Sequence, residues 1–317
     1  MPELIIFAIS ILAVIIGADW LGNSATHIAK RLSLPRVIIG ATIVSLATTL
    51  PEIVIAGISG AEGSPEVGLG TVFGSPIVNL GLIFGILLLL SKPSIDKAYF
   101  LRTIKLFLLT LGLVVLLSIG GSISPVSGFI LMFFGIVYLA IQAIIGRQEE
   151  SLLERIENRF ENLKEFFTQR ENYHQVLYLV IGSILLVLGA YFLVGSAVSL
   201  AQILGVHQIV IGFVIIAFGT SIPELFTTFN SIVRNRVGIG AGNLFGASVL
   251  DLTFALGLGS IFNGSNLAPI NLYLAIASLA VISLISVLYV LEKVSPRVLG
   301  TLLIIIYLGS LILFSNI

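Results

Sequence analysis

The sequence contains no cysteine, only two methionines, one tryptophan and three histidines in 317 residues. Without cysteine there is neither a disulfide framework nor a thiolate metal site. His27, His174 and His207 are too few and too scattered for a zinc or haem centre. Charge is scarce as well: 10% of residues are Asp, Glu, Lys or Arg, against roughly 25% in an ordinary soluble domain. Sixteen basic residues balance sixteen acidic ones, so the formal net charge is zero. What is abundant is apolar: 57% of the chain is hydrophobic and the mean hydropathy is +1.13. The surface of a soluble fold needs far more polar cover than this. The composition excludes a soluble enzyme, a nucleic-acid-binding protein and a disordered chain, and indicates a polytopic membrane protein.

A bilayer core takes about 20 apolar residues per helix. On that yardstick the chain divides into ten segments, near 3–22, 37–60, 66–90, 100–119, 125–146, 175–200, 208–232, 239–262, 270–291 and 296–315. Pro35, Pro65, Pro93, Pro125, Pro269 and Pro296 fall near segment ends, where a missing N–H costs little. The runs are too long for transmembrane strands and lack their alternation. The opening MPELIIFAIS has no basic stretch before its apolar run, and is read as a first spanning helix, not a cleaved signal.

The basic residues orient the spans. Counted from an external N-terminus, every Lys and Arg falls in the odd-numbered loops: Lys30, Arg31 and Arg36, then Lys92 to Lys105, Arg147 to Arg170, Arg234 and Arg236, and Lys293 and Arg297. The positive-inside rule then predicts a cell-membrane protein with both termini outside and the long central loop in the cytoplasm. That loop, 147–174, carries Leu152, Leu153, Ile156, Phe160, Leu163, Phe166 and Phe167 at helical spacing among Glu and Arg. It reads as an amphipathic helix at the membrane surface, connecting an N-terminal unit (1–146) to a C-terminal unit (175–317).

These two units are copies of one another. A shift of 172 residues sets GADWLGNSA (17–25) on GAYFLVGSA (189–197) and GATIVSLATTLPEI (40–53) on GFVIIAFGTSIPEL (212–225). It also pairs Gly68, Gly70, Phe73, Gly74 and Leu80 with Gly240, Gly242, Phe245, Gly246 and Leu252. Five spans per copy is an odd number, so the copies sit upside-down to one another in the membrane. The expected fold is an all-α polytopic membrane protein of ten transmembrane helices in two inverted five-helix repeats. In such folds the substrate site lies near mid-membrane where the repeats meet.

Four acids remain inside spans: Asp19, Glu52, Glu224 and Asp251. A carboxylate in hydrocarbon is costly, and no Lys or Arg is expected at that depth to pair with it, so cations or protons must neutralise it. Glu52 and Glu224 are repeat mates, as are Asn79 and Asp251. Asp19 has Tyr191 as its mate; it either snorkels, lines a pathway or binds an ion. Thr48 and Thr49 precede Glu52 by four and three residues, and Thr220 and Ser221 precede Glu224 likewise, so hydroxyls and carboxylates share helix faces. Pro51 and Pro223 lack N–H groups, which frees the carbonyls of Ala47 and Gly219 as further ligands. Ser75 sits four residues before Asn79, and Ser248, a further candidate, three before Asp251. Carboxylates, hydroxyls, an amide and carbonyls form an all-oxygen set suited to Na⁺ and Ca²⁺. Motifs of intramembrane enzymes, such as H-E-x-x-H or Gly-x-Ser-x-Gly, are missing.

At ATTLPEI (47–53) and GTSIPEL (219–225) the sequence resembles the calcium/cation antiporter superfamily, specifically its sodium/calcium exchanger branch. The resemblance implies that Glu52 and Glu224 are the shared central ligands, assisted by Thr48, Thr49, Thr220, Ser221, Ser75, Asn79 and Asp251. It implies antiport of Na⁺ against Ca²⁺ by alternating access, with the first and sixth helices sliding past the rest and no cofactor. One chain holds a complete site, so a functional monomer is expected. Three positions depart from the family pattern: Ala47 stands for the usual Gly, Thr71 for Asn, and Ala247 for a hydroxyl residue. The last weakens one peripheral Na⁺ site, and the alternative is a proton-coupled exchanger of calcium or another divalent cation. With Glu52, Glu224 and Asp251 ionised the site carries about −3, which Na⁺ and Ca²⁺ neutralise to different extents.

Overall fold

The computed structural model describes residues 2–31, 45–91, 97–145, 173–233, 237–262, 265–266, 269–291 and 294–315. The central stretch expected to be amphipathic lies outside these residues up to 172. So do the first residues of the second span and many of the basic residues that orient the topology, among them Arg36, Lys92, Arg147, Arg234 and Lys293.

Ten helical segments follow one another among the described residues. They are α1 (Pro2–Arg31), α2 (Ser45–Ala61), α3 (Pro65–Leu90), α4 (Lys97–Leu117), α5 (Pro125–Ile145), α6 (Tyr173–Leu204), α7 (Gln208–Val233), α8 (237–261), α9 (Pro269–Val290) and α10 (Pro296–Ser315). Nine contain stretches long and apolar enough to cross a membrane, and α2 is a shorter apolar helix of 17 residues in the described part. Proline opens α3, α5, α9 and α10, where its fixed φ suits the first turn and its lost N–H has no partner to miss. Gly63 and Gly205, at φ +72° and +66°, end α2 and α6. In each case paired bonds (Ser64 N to Ser59 O, Val206 N to Ala201 O) close the helix with a left-handed residue that a side chain would strain. At the far ends, Ser122–Ile123 after α4 pairs antiparallel with Ser265–Asn266 after α8, tying the two halves together.

The repeat mates occupy equivalent depths in the packing. In α3 and α8, 83% and 78% of the apolar window is buried in protein; in α1 and α6 the share is 28% each. The centre of the molecule is thus the α3/α8 pair, flanked by α2 and α7, with α1 and α6 at the periphery. Small residues let the central backbones touch. A methyl group at Gly70 would meet Ile209 O at 2.4 Å, and one at Gly212 would meet Val67 O at 2.3 Å, so α3 and α7 cross without side chains between them. The outer pair, α1 and α6, crosses in the same manner at Gly17 and Gly182. Phe245 of α8 anchors the larger apolar cluster, edge-on to Phe84, Phe100 and Phe107.

Candidate ion-binding site

The local backbone is irregular where the polar residues sit. In α3 the α-helix widens to a π-helical turn at Val78–Ile83, and in α8 it does so at Asp251–Ala255. Asn79 and Asp251 are thus repeat mates on repeated π turns. Pro76 precedes the first, but its mate is Ser248, so proline is not the shared cause. Such turns displace a side chain from the regular 3.6-residue face and are frequent at functional sites. In α7 a third π turn spans Ile211–Ile216, and the helix then breaks at Ser221 before restarting at Ile222. Glu224 therefore lies in the first turn of a new helix, near amide groups that favour negative charge. Helix α2, by contrast, runs unbroken through Pro51.

Glu52, Glu224, Asp251 and Asn79 are each only 1% exposed, and Thr49, Thr220, Ser75, Ser221 and Ser248 are buried with them. Thr48 is half-buried. The halves interlock here. The Ser75 hydroxyl donates to Glu52 Oε1 at 3.3 Å, and Thr220 from the opposite half lies beside the Glu52 carboxylate. Glu224 is met by Thr48, again from the opposite half. Asp251 lies close enough to both glutamates for mutual repulsion. Several hydroxyl protons are committed to backbone carbonyls: Thr48 and Thr49 to Ser45 O, Thr220 to Ile216 O, and Ser248 to Leu244 O. That arrangement turns each hydroxyl oxygen into an acceptor, which is what a cation requires.

The predicted carbonyl ligands divide. Ala47 is followed four residues on by Pro51, which cannot donate to its carbonyl. At the α7 break the Ser221 N–H turns back toward Ala217 and Gly219, so the Gly219 carbonyl is partly engaged. The Ala47 departure also has a structural counterpart: its methyl faces Gly22 of α1, where any larger residue would lie 2.9 Å from it.

Six buried side-chain oxygens lack a hydrogen-bond partner among the described residues: Glu52 Oε2, Glu224 Oε2, Asp251 Oδ1, Asn79 Oδ1, Ser221 Oγ and Thr228 Oγ1. Five belong to the residues singled out from sequence. Orphaned buried oxygens are expensive, and three of the six belong to carboxylates near enough to repel one another, which points to a ligand that supplies positive charge. No three His, Cys, Asp or Glu side chains among the described residues form a chelating cluster by themselves. The donor set is instead carboxylates interleaved with hydroxyls and an amide, the chemistry of hard cations.

Sequence reasoning missed a polar chain beside the site. The Ser45 hydroxyl donates to Asn243 Oδ1 at 2.9 Å, and Asn243 Nδ2 donates to Thr227 Oγ1 at 3.4 Å, joining α2, α8 and α7. Thr227 and Thr228 follow Glu224 by three and four residues, the spacing used to find Thr48 and Thr49, so the signal was present. The mates of Ser45, Asn243 and Thr227 are Ala217, Thr71 and Ile55, so this chain, which bridges the two halves, has no counterpart at the mated positions.

Comparison with known proteins identifies the family. The family model described as "Sodium/calcium exchanger protein" matches residues 3–144 and 174–316, which leaves out the central stretch. An uncharacterized membrane protein of Methanocaldococcus jannaschii is 29% identical over 302 residues, covering 95% of this chain and 94% of its own. The sodium/calcium exchanger MaX1 of Methanosarcina acetivorans is 27% identical, with 90% of each chain covered. A solved structure of the sodium-calcium exchanger NCX_Mj, soaked with Na⁺ and Sr²⁺, superposes with a TM-score of 0.67 at 26% identity, over 98% of this chain and 97% of that one. An inverted-repeat helical fold, a buried oxygen-rich centre and a match across nearly the whole length lead to one conclusion: this chain belongs to the sodium/calcium exchanger family of membrane antiporters.

Proposed function

We propose that the protein exchanges Na⁺ for Ca²⁺ by alternating access, with Glu52 and Glu224 as ligands shared by both cargoes. The observation that carries this reading is the set of orphaned oxygens contributed by α2, α3, α7 and α8, two helices from each repeat. Thr48, Thr49, Thr220, Ser221, Ser75, Asn79 and Asp251 complete the oxygen shell, with the Ala47 and Gly219 carbonyls and Ser248 at its edge. Both ions need the same two glutamates, so occupancy is mutually exclusive. The site holds about −3 when its three acids are ionised, and crossing hydrocarbon with that charge uncompensated is prohibitive. Ion loading thus licenses the sliding of α1 and α6 across the central bundle. The long glycine-lined contact of those two helices, exposed along most of their length, suits such movement. The distribution of Lys and Arg supports an orientation with both termini outside the cell and the 147–174 linker, between the two five-helix units, in the cytoplasm; on this reading one chain suffices for transport.

Ala247 supports a second reading. It is buried and offers no hydroxyl where its mate Ser75 holds Glu52. A proton on a site carboxylate in place of one Na⁺ would make the protein a proton-coupled exchanger of calcium or another divalent cation. Purified protein in vesicles separates the two. Ca²⁺ uptake driven by an outward Na⁺ gradient at clamped pH is the expected result. Uptake driven only by a pH gradient supports the second reading, and uptake driven by neither removes both.

A further inference from the structure

The repeat predicts two equivalent clefts, one at each end of the site, and the structure makes them unequal. The first, of about 500 Å³, lies between the C-terminal half of α1, the start of α2 and the second half of α7. Its wall includes Asp19, Asn23, Thr48 and Thr227, so it reaches directly to a hydroxyl facing Glu224. The second, of about 460 Å³, lies on α6 between Tyr191 and Ser199 and contains the mates of Asp19, Trp20, Gly22 and Asn23. No residue of α7 or of the ion site lines it; Glu3, Glu62 and Ser64 close that end instead. The reason is packing. On this side Leu50, Val54 and Ile55 of α2 seal against Leu193, Val194 and Ala197 of α6. Three positions of that seal have different mates on the first side: Gly22 for Val194, Phe226 for Val54, and Thr227 for Ile55.

Asp19 is exposed in the open cleft and makes no hydrogen bond or ion pair with another described residue. Asn23, one turn further along α1, is exposed in the same wall. We propose that Asp19 is the cation-collecting residue of this mouth: its carboxylate, with Asn23 beside it, draws a hydrated cation into the cleft and hands it to Thr48 and Glu224. This rests on the exchanger reading for its purpose, but its physical content is a local negative potential in a low-dielectric cleft, which raises the local concentration of cations. The mated position on α6 is Tyr191, and the acids of the second cleft, Glu3 and Glu62, lie at the end that no ion-site residue lines, so only Asp19 shares a cleft wall with a site hydroxyl. A single carboxylate at the mouth, seen by a monovalent probe in partly screened surroundings, changes local concentration by roughly three- to tenfold.

The absence of cysteine makes a clean test. Asn23→Cys places one thiol in the cleft, and its rates of reaction with a cationic and an anionic methanethiosulfonate of similar size are compared. The cationic reagent is expected to react faster, and adding Asp19→Asn is expected to lower the cation-to-anion ratio by about three- to tenfold. High salt should erase the difference, and Asp19→Glu should preserve it. A thiol that does not react overturns the open cleft, and a ratio unmoved by Asp19→Asn overturns the role of Asp19. This readout needs no transport, so it stands apart from the exchanger reading. In flux assays of the cysteine-free chain, Asp19→Asn should raise the half-saturating Ca²⁺ concentration at one membrane face only. An equal change at both faces contradicts the proposal, whereas a wild-type chain that moves no Ca²⁺ contradicts the exchanger reading.

Discussion

The two halves of the candidate ion site carry copies of one motif and differ in the residues and backbone that surround it. In the N-terminal half, α2 is continuous through Pro51, Ser75 donates to Glu52, and the residue on the π turn is the neutral Asn79. In the C-terminal half, α7 breaks at Ser221, Ala247 leaves Glu224 without the matching donor, and the π turn carries the acid Asp251. One half is a regular helix with a well-held carboxylate. The other is an interrupted helix with a less supported carboxylate and a second negative charge. This asymmetry places the extra acid, Asp251, on one side, and under the proposed exchange that is the charge by which Na⁺ and Ca²⁺ loading would differ.

Substitutions that break or restore the symmetry test that account. Under the proposed shared ligation, Glu52→Gln or Glu224→Gln should lower Ca²⁺ flux by about 100-fold or more, the effect of a lost charge–charge contact at a buried site. Near-normal flux in either variant contradicts shared ligation. Asp251→Asn makes the two π turns alike. It should cut the steepness of Na⁺ dependence and reduce exchange by about tenfold or more, while Ca²⁺ binding to purified protein is retained. Ser75→Ala makes the N-terminal half resemble the C-terminal one. Loss of a bond to a charged group, at about 1.5 kcal/mol, should weaken Ca²⁺ affinity roughly tenfold. Ala247→Ser adds the missing hydroxyl. It should tighten Na⁺ activation by only a few-fold, since a new donor in a packed helix interface also costs packing; no change in Na⁺ dependence would separate position 247 from the site.

The larger features of this fold could be read from the chain because the bilayer imposes them. The apolar windows of nine helices, and the described part of α2, fall within a few residues of the segments drawn from hydropathy. The misses have physical reasons. Helix α1 continues to Arg31 because its last turns are polar but still helical, and α6 reaches Leu204 because helicity persists until Gly205 reverses the chain. Hydropathy reports solvent, not backbone. Residue types and the 172-residue repeat were enough to name Glu52, Glu224, Asn79 and Asp251. The π turns beneath the last two, the break at Ser221 beside an unbroken Pro51, and the pairing of Ser45 with Asn243 were not legible, although the spacing of Thr227 from Glu224 was. The link from Ser45 to Asn243 spans 198 residues and depends on how α2 and α8 pack. Likewise, Asp19 was visible as an acid within a span, but its place in a cleft followed only from how α1, α2 and α7 pack.

The central claim is that both cargoes occupy one shared site built across the repeat interface. Equilibrium binding of radioactive Ca²⁺ to purified protein, titrated with Na⁺ at constant ionic strength and pH, tests it most directly. The account predicts complete, cooperative displacement of Ca²⁺ by Na⁺, and loss of binding in Glu224→Gln. Ca²⁺ that stays bound at saturating Na⁺ would contradict it.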